Sequence, residues 1–424
     1  MIFDDYIVDM NDKMNRYRNK YKDSKKIFIK YIYYLIKFYF KINLKPRQTN
    51  TWYKLDYPFN SKDILTQKQE EGWNKVPINI PSRSHLYMDI NKALEINPNL
   101  KGIWLVFFMG IGDYFYATRF IEQLKNTYPN LELNAFVSKN FDGNNSPLVA
   151  DLLKNNPNIN KVEMFDGYPA KDNWENYDYS DCYSRINNNY ILCPMVYRFA
   201  PYINSRYSTL CETFGLNPEK ITRPPIIYDY PISNQVQNLF NEIKECYQQT
   251  KAKAVVFVQL SSRSSNYLYD HKNELIKKLL ENNFIVVSVE KTDIKSPRYF
   301  EIDIKIFNIC ESISLLELLN KNIKTYCLTL VSLFWSVSSA LNIPNLGMQH
   351  KDDPNMASVY FPNLFVLTHR KYNEIPSSRQ FVAQEGDYSF SFDKKLFYDK
   401  WVYNYDFVYE CFKTMLQIIE NGEN

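Results

Sequence analysis

The sequence predicts an α/β protein made of two Rossmann-like, doubly wound parallel sheets that face each other, preceded by an N-terminal helical extension. Three observations predict it. From residue 101 onward, strand-like apolar runs alternate with helix-like amphipathic segments. The alternation breaks at Asn217–Pro231, a connector-like stretch holding Arg223-Pro224-Pro225, and restarts at Ala254. The first strand, Ile103–Phe108, is apolar along its whole length, as a strand covered on both faces must be.

Taken in order, residues 46–98 are rich in proline, asparagine and charge with little period, and read as a linker or irregular extension. After Ile103–Phe108 come a glycine-bearing turn and a helix with Phe115, Phe120, Ile121 and Leu124 on one face. A strand at Leu131–Val137 follows, with further strands at Lys161–Phe165 and Tyr190–Cys193 and helices near 147–155 and 205–215. The second run opens with a strand at Ala254–Leu260, a helix over 270–282 and strands at Phe284–Val289 and Ile304–Ile309. It continues with a helix over 312–320, a strand at Ile323–Leu328, a helix over 332–341 and a last short strand at Pro344–Met348. Residues 395–420, rich in Tyr, Phe and Trp, read as a final long helix. The expected domains are therefore 1–98 (basic helix and irregular extension), 99–230 and 231–370 (the two Rossmann-like units) and 371–424 (a helical tail).

Composition narrows the function classes. The chain has 424 residues, enough for about two or three domains, and 45% hydrophobic residues argue against a disordered chain. A mean hydropathy of −0.43 without an apolar run long enough to span argues against a multispanning membrane protein. The formal net charge is +4, but residues 1–50 hold 12 Lys and Arg against 5 Asp; that arm carries +7 and leaves −3 on the remaining 374 residues. A near-neutral body with a basic arm does not resemble a protein built around nucleic acid. Within the arm, residues 25–45 set Lys26, Lys30, Lys37 and Lys41 on one face of a helix whose other positions are Ile, Leu, Phe and Tyr. Such a helix suits a membrane surface with anionic headgroups, or the protein's own body. Seven scattered cysteines (182, 193, 211, 246, 310, 327, 411) and no cleavable signal peptide read as reduced cytosolic thiols. The four histidines form no cluster, so no metal site is expected.

The most informative segment is Met109-Gly110-Ile111-Gly112-Asp113, directly after the first strand and opening a helix. Two of ten glycines fall within three positions. Glycine lets a ligand approach the backbone, a helix start offers free N–H groups, and the carboxyl edge of an open α/β sheet is where ligands bind. A plain helix cap with a tight turn is the alternative reading. The third glycine of a dinucleotide fingerprint is missing, which disfavours hydride transfer, and no phosphate-loop motif occurs.

The segment GIGDYFYATRFIEQLKNTYPNLEL resembles the opening of glycosyltransferase family 9, the ADP-heptose:lipopolysaccharide heptosyltransferases, with Thr118, Leu124, Tyr128 and Pro129 in register. TLCETFGLNP (209–218) and ISLLELLNKNIKTYCLTLVSLFWSVSSALNIP (313–344) resemble later segments of that family, so the likeness covers roughly 101–350. It implies a GT-B fold, with the acceptor on the first unit and a nucleotide sugar on the second. It also implies inverting, metal-independent transfer with no cofactor beyond the nucleotide-sugar co-substrate. Asp113 would be the general base, and Gly110, Gly112 and Thr118 would form the acceptor-side turn. Ser261, Arg263, Ser265, Ser332, Ser336 and His350 would meet the donor. The partners implied are a nucleotide sugar and a cell-envelope or protein-linked glycan or glycolipid, with no nucleic acid. With the thiols and the basic arm, the expected location is cytoplasmic, peripheral at the inner face of the membrane through residues 25–45. The chain departs from the family in its donor block, where Val331, Leu333 and Ser336 occupy the family's Asp, Gly and His positions and only Ser332 is kept. The register of Arg263 against the family's lysine also differs. A decayed donor site in a binding or scaffold protein at the membrane surface is the alternative.

Overall fold

The computed structural model describes residues 94, 97–108, 111–139, 146–167, 179–187, 189–195, 216, 225–262, 267–303, 307–349, 363–369, 371, 376–393 and 398–422. All of them belong to one compact unit, Asn60–Phe199 with Ile203–Asn424. The basic stretch 25–45 and the expected helix 205–215 lie outside the described residues.

The first sheet is built from β1 (Gly102–Phe107), α1 (Ile111–Thr127), β2 (Glu132–Ser138), α2 (Ser146–Lys154), β3 (Lys161–Phe165), α3 (Ser180–Ser184) and β4 (Tyr190–Pro194). Its strands lie in the order β3-β2-β1-β4, all parallel. β1 is central and buried at every position, which is why its sequence is apolar without alternation.

Beyond the connector come α4 (Asn234–Thr250), β5 (Val255–Gln259), the two-residue strands β6 (Ser261–Ser262) and β7 (Tyr267–Leu268), α5 (Lys272–Glu281), β8 (Ile285–Ser288) and β9 (Tyr299–Glu301). Then follow α6 (Ile309–Asn322), β10 (Thr325–Leu330), α7 (Leu333–Ala340), β11 (Asn345–Met348), β12 (Leu364–Thr368) and β13 (Gln380–Val382). The hairpin β14 (Tyr388–Asp393) and β15 (Tyr398–Tyr403) and the helix α8 (Tyr405–Glu420) complete the chain. The second sheet runs β13-β12-β11-β10-β5-β8-β9, again all parallel. In both sheets the strand order reverses beside the first strand, between β1 and β4 and between β5 and β10. Those are the switch points at which open α/β sheets bind ligands.

Alternate residues of β5 serve opposite faces. Val255 and Phe257 join a core shared with the first sheet and with α1, α4 and α6, whereas Val256 and Val258 join a second core under α5 and α8. α4 buries Val236, Phe240 and Ile243 and is capped by Ser233, whose side chain accepts the Val236 N–H. Each such side chain stabilises the fold by roughly 1.5–3 kcal/mol.

The structure corrects several sequence expectations. Of the strand expected at Ile304–Ile309, residues 304–306 lie outside the described residues, and Ile309 opens a helix because Asn308 and Glu311 form a reciprocal capping box; a strand lies earlier, at Tyr299–Glu301. Pro344–Met348 is not the last strand, since β12 and β13 extend the sheet. The helix expected over 395–420 begins only at Tyr405, behind its cap Asn404, and the preceding aromatics build an antiparallel hairpin. Tyr403 of that hairpin donates its hydroxyl to the Gln349 carbonyl at 2.7 Å, and Tyr269 donates to the Tyr403 carbonyl at 2.8 Å. These buried bonds fasten the hairpin to the carboxyl end of β11.

Candidate functional site

The turn after β1 and the turn after β10 meet. A Cβ added to Gly112 would lie 4.0 Å from the Ser332 carbonyl oxygen. Gly112 is the second residue of α1 and Ser332 precedes α7, so the two helices, which pack on each other, bring their N-termini together at the carboxyl ends of both sheets. Helix N-termini carry free N–H groups and a partial positive charge, and anions are stabilised there. Gly112 is not among the glycines with positive φ. The freedom of glycine to turn left-handed therefore does not explain it, and a Cβ there would make only an ordinary contact with Ser332. Asp113, the third residue of α1, stands on this same turn; its side chain lies outside what is described, as do residues Gly110, Arg263, Ser265 and His350.

The N-terminus of α7 is fastened from the neighbouring strand. Gln259, the last residue of β5, accepts the Ser332 hydroxyl and the Phe334 N–H on its Oε1, the latter at 3.1 Å. Ser332 makes no side-chain cap of its own. A single amide thus ties the ends of β5 and β10 across the switch point. Deeper in, Asn345 donates to Thr329 Oγ1 and Ser338 Oγ, both at 2.9 Å, and Asn363 donates to the Ile343 carbonyl at 2.6 Å. These buried bonds help hold α7 over β10 and β11. Ser336, expected at the donor, is 1% exposed on the same helix.

Glu290, at the end of β8, is a second residue the sequence reading missed. It is 4% exposed, and its Oε1 accepts the Leu260 N–H and the Ser261 hydroxyl, each at 2.8 Å. The hydroxyl of Ser261, expected to meet a donor phosphate, is here donated to a carboxylate. The sequence signal was an acid directly after an apolar strand, the position from which Rossmann-type sheets reach ribose hydroxyls.

Thr118 stands apart from the turn. It is fully buried on α1, donates to the Phe115 carbonyl at 2.7 Å and accepts the Ile226 N–H at 2.9 Å. Its hydroxyl holds the connector rather than a ligand. Around it, Tyr114 donates to the Leu152 carbonyl and Tyr228 accepts from Asn158. Burial pushes the Tyr114 and Tyr230 phenols well above their ordinary range, so both stay neutral. Among the described residues no cluster of His, Cys, Asp and Glu has the geometry to hold a metal ion, and no helix is long and apolar enough to cross a membrane.

No family profile matches the chain, and no curated protein does. Among solved structures it is similar to a family 9 glycosyltransferase of Veillonella parvula, at 13% identity and TM-score 0.44, over 63% of this chain and 85% of that one. It is similar to the E. coli ADP-heptose lipopolysaccharide heptosyltransferase II at 10% identity and TM-score 0.43, over 62% and 89%. An E. coli heptosyltransferase with ADP-2-deoxy-2-fluoro heptose follows at 10% and 0.35, over 66% and 92%. These structures are of the family that the turn motif resembles. Identities and scores this low leave the site to be read from its own residues: two glycine- and serine-bearing helix starts that converge at the switch points of two parallel sheets.

Proposed function

We propose that the protein is a glycosyltransferase of GT-B architecture, moving a sugar from a nucleotide-sugar donor to a cell-envelope or protein-linked glycan. The observation that carries this reading is the meeting of Gly112 with Ser332, which joins the switch point of one sheet to that of the other. A crevice of that kind takes acceptor from one side and donor from the other. Asp113, on the α1 side, would accept the proton of the attacking hydroxyl as its oxygen bonds to the anomeric carbon with inversion. The bond to the diphosphate breaks, and the charge left on the leaving group falls beside the α7 N-terminus. The transfer is read as metal-independent. The arm over 25–45 would hold the enzyme at the anionic inner surface of the cytoplasmic membrane, near a lipid-linked acceptor.

The test is a thermal-shift screen against ADP-, UDP-, GDP- and CMP-sugars, followed by transfer assays with the sugar that binds. Asp113→Asn should abolish transfer and leave donor binding intact; full turnover in that variant would remove Asp113 from the mechanism. Deleting residues 1–50 should weaken co-sedimentation with anionic vesicles and not with neutral ones. A second reading, a binding protein with a decayed donor site, is favoured by Val331 and Leu333 in the donor block and by the internal engagement of Ser261 and Ser332. It predicts that no sugar nucleotide binds.

A further inference from the structure

We propose that Gln259 is a further donor-binding residue of the crevice, donating from Nε2 to a diphosphate oxygen of a nucleoside diphosphate group while its Oε1 holds α7 in place. The inference rests on the glycosyltransferase reading above and names a residue for which the sequence resemblance had no role.

The orientation of the amide follows from its partners. Oxygen and nitrogen of a glutamine side chain are told apart only by what they bond. Here the partner of one atom is the backbone N–H of Phe334, which can only donate, so that atom is the oxygen. The Ser332 hydroxyl donates to the same oxygen. With Oε1 held twice, the planar amide cannot rotate, and Nε2 is fixed on its other side. Nε2 makes no hydrogen bond among the described residues, and Gln259 is half-buried, so this donor is left for solvent or a ligand.

Its place supplies the ligand class. Gln259 ends the first strand of the second sheet, beside the switch point between β5 and β10, and Ser332 beside it lies next to the Gly112 turn. A neutral amide here satisfies an orphan N–H of α7 without cancelling the positive end of the helix, as a carboxylate cap would. An anionic ligand is therefore compatible with this cap. The nearby carboxylate of Glu290 keeps its Oε1 on Leu260 and Ser261. The amide thus adds one fixed, uncharged donor to the crevice.

The experiment compares wild type, Gln259→Glu and Gln259→Met by calorimetry against ADP, UDP and GDP and against the matching nucleosides. Gln259→Glu keeps an oxygen for Ser332 and Phe334 but puts a negative charge where Nε2 stands. Its melting temperature should stay at or above that of wild type. Its affinity for the diphosphate that wild type binds should fall at least tenfold, with nucleoside affinity unchanged. Gln259→Met, which removes both roles, should melt lower and also bind the diphosphate more weakly. Equal diphosphate affinity in Gln259→Glu and wild type overturns the proposal and leaves the glycosyltransferase reading standing. A parallel loss for the nucleoside also overturns it, since Gln259 then only shapes the crevice. Wild type that binds none of the diphosphates overturns the glycosyltransferase reading, and this inference with it.

Discussion

The hydroxyl of Thr118 accepts the backbone N–H of Ile226 at 2.9 Å, joining the middle of α1 to the connector 108 residues downstream. The same hydroxyl donates to the Phe115 carbonyl, so its position is set from both sides. Thr118→Val keeps the shape and removes the acceptor, leaving the Ile226 N–H without its partner. A loss of about 1–3 kcal/mol in chemical denaturation is expected. Thr118→Ser restores the hydroxyl and should recover most of it, short of about 0.8 kcal/mol for the missing methyl. Equal stability of Val and Thr would show that the bond does not hold the connector.

A second prediction concerns the seat of α7. A Cβ on Gly347 of β11 would stand 2.6 Å from Cε3 and 2.8 Å from Cη2 of Trp335, whose ring is 2% exposed and has nowhere to go. Trp335 directly follows Phe334, the residue that Gln259 caps. Gly347→Ala should cost about 1–3 kcal/mol by overpacking. Because the strain enters at the base of α7, the affinity for a bound nucleotide should fall as well. Trp335→Phe in the Gly347→Ala background should return part of both, and its failure to do so would place the strain elsewhere.

What the sequence made legible follows from range. β1 and β2 could be read because burial on central strands writes apolar residues into neighbouring positions, whereas β3 is a half-buried edge strand. The start of α6 was also written locally, in Asn308 and Glu311, but the apolar 304–309 stretch outweighed it in the reading. The hairpin of β14 and β15 was hidden because aromatic residues suit either a strand or a buried helix, and only the Asn404 cap separates them. LFVLT at 364–368 is an apolar run of strand length and was open to the same logic as β1. The glycine turn at Gly112 was visible, whereas Gln259 and Glu290 were not. Their roles depend on partners 73 to 75 and 30 residues away, on strands that become neighbours only in the folded sheet.

A third prediction concerns alkaline pH. Burial pushes the thiols of Cys182, Cys310 and Cys411 up to about 12, and those of Cys193 and Cys327 higher still. An unfolded thiol titrates near about 8.5. Between these values the unfolded chain releases protons that the folded chain keeps, so stability is fully present below about 8.5 and is lost as pH rises toward 12. Each thiol can contribute up to about 1.4 kcal/mol per pH unit in that window. The melting temperature should be flat near pH 7–8 in this respect and should fall above about pH 9. Cys327→Ala should make the fall shallower whatever it costs at neutral pH. A slope unchanged by that substitution would mean the thiol is not protected as its burial indicates.

The last prediction separates one joint site from two unrelated turns. At 4.0 Å from the Ser332 carbonyl, a methyl on Gly112 makes an ordinary contact, and Gly112 carries no positive φ to strain. Gly112→Ala should therefore be tolerated, and the better helix former should stabilise α1 by up to about 0.5–1 kcal/mol. Gly112→Leu extends past that contact and must push the α1 turn away from Ser332 and the N-terminus of α7. Because Gly112 is half-buried at the edge of the core, the strain can be relieved by parting the turns rather than by unfolding. If the two turns make one site, Gly112→Leu should lose nucleotide affinity at least tenfold while Gly112→Ala retains it, both measured by calorimetry beside a thermal melt. If Leu binds as Ala does, the first sheet's turn plays no part in holding the donor, and catalysis by Asp113 would require the two turns to close further than they stand here.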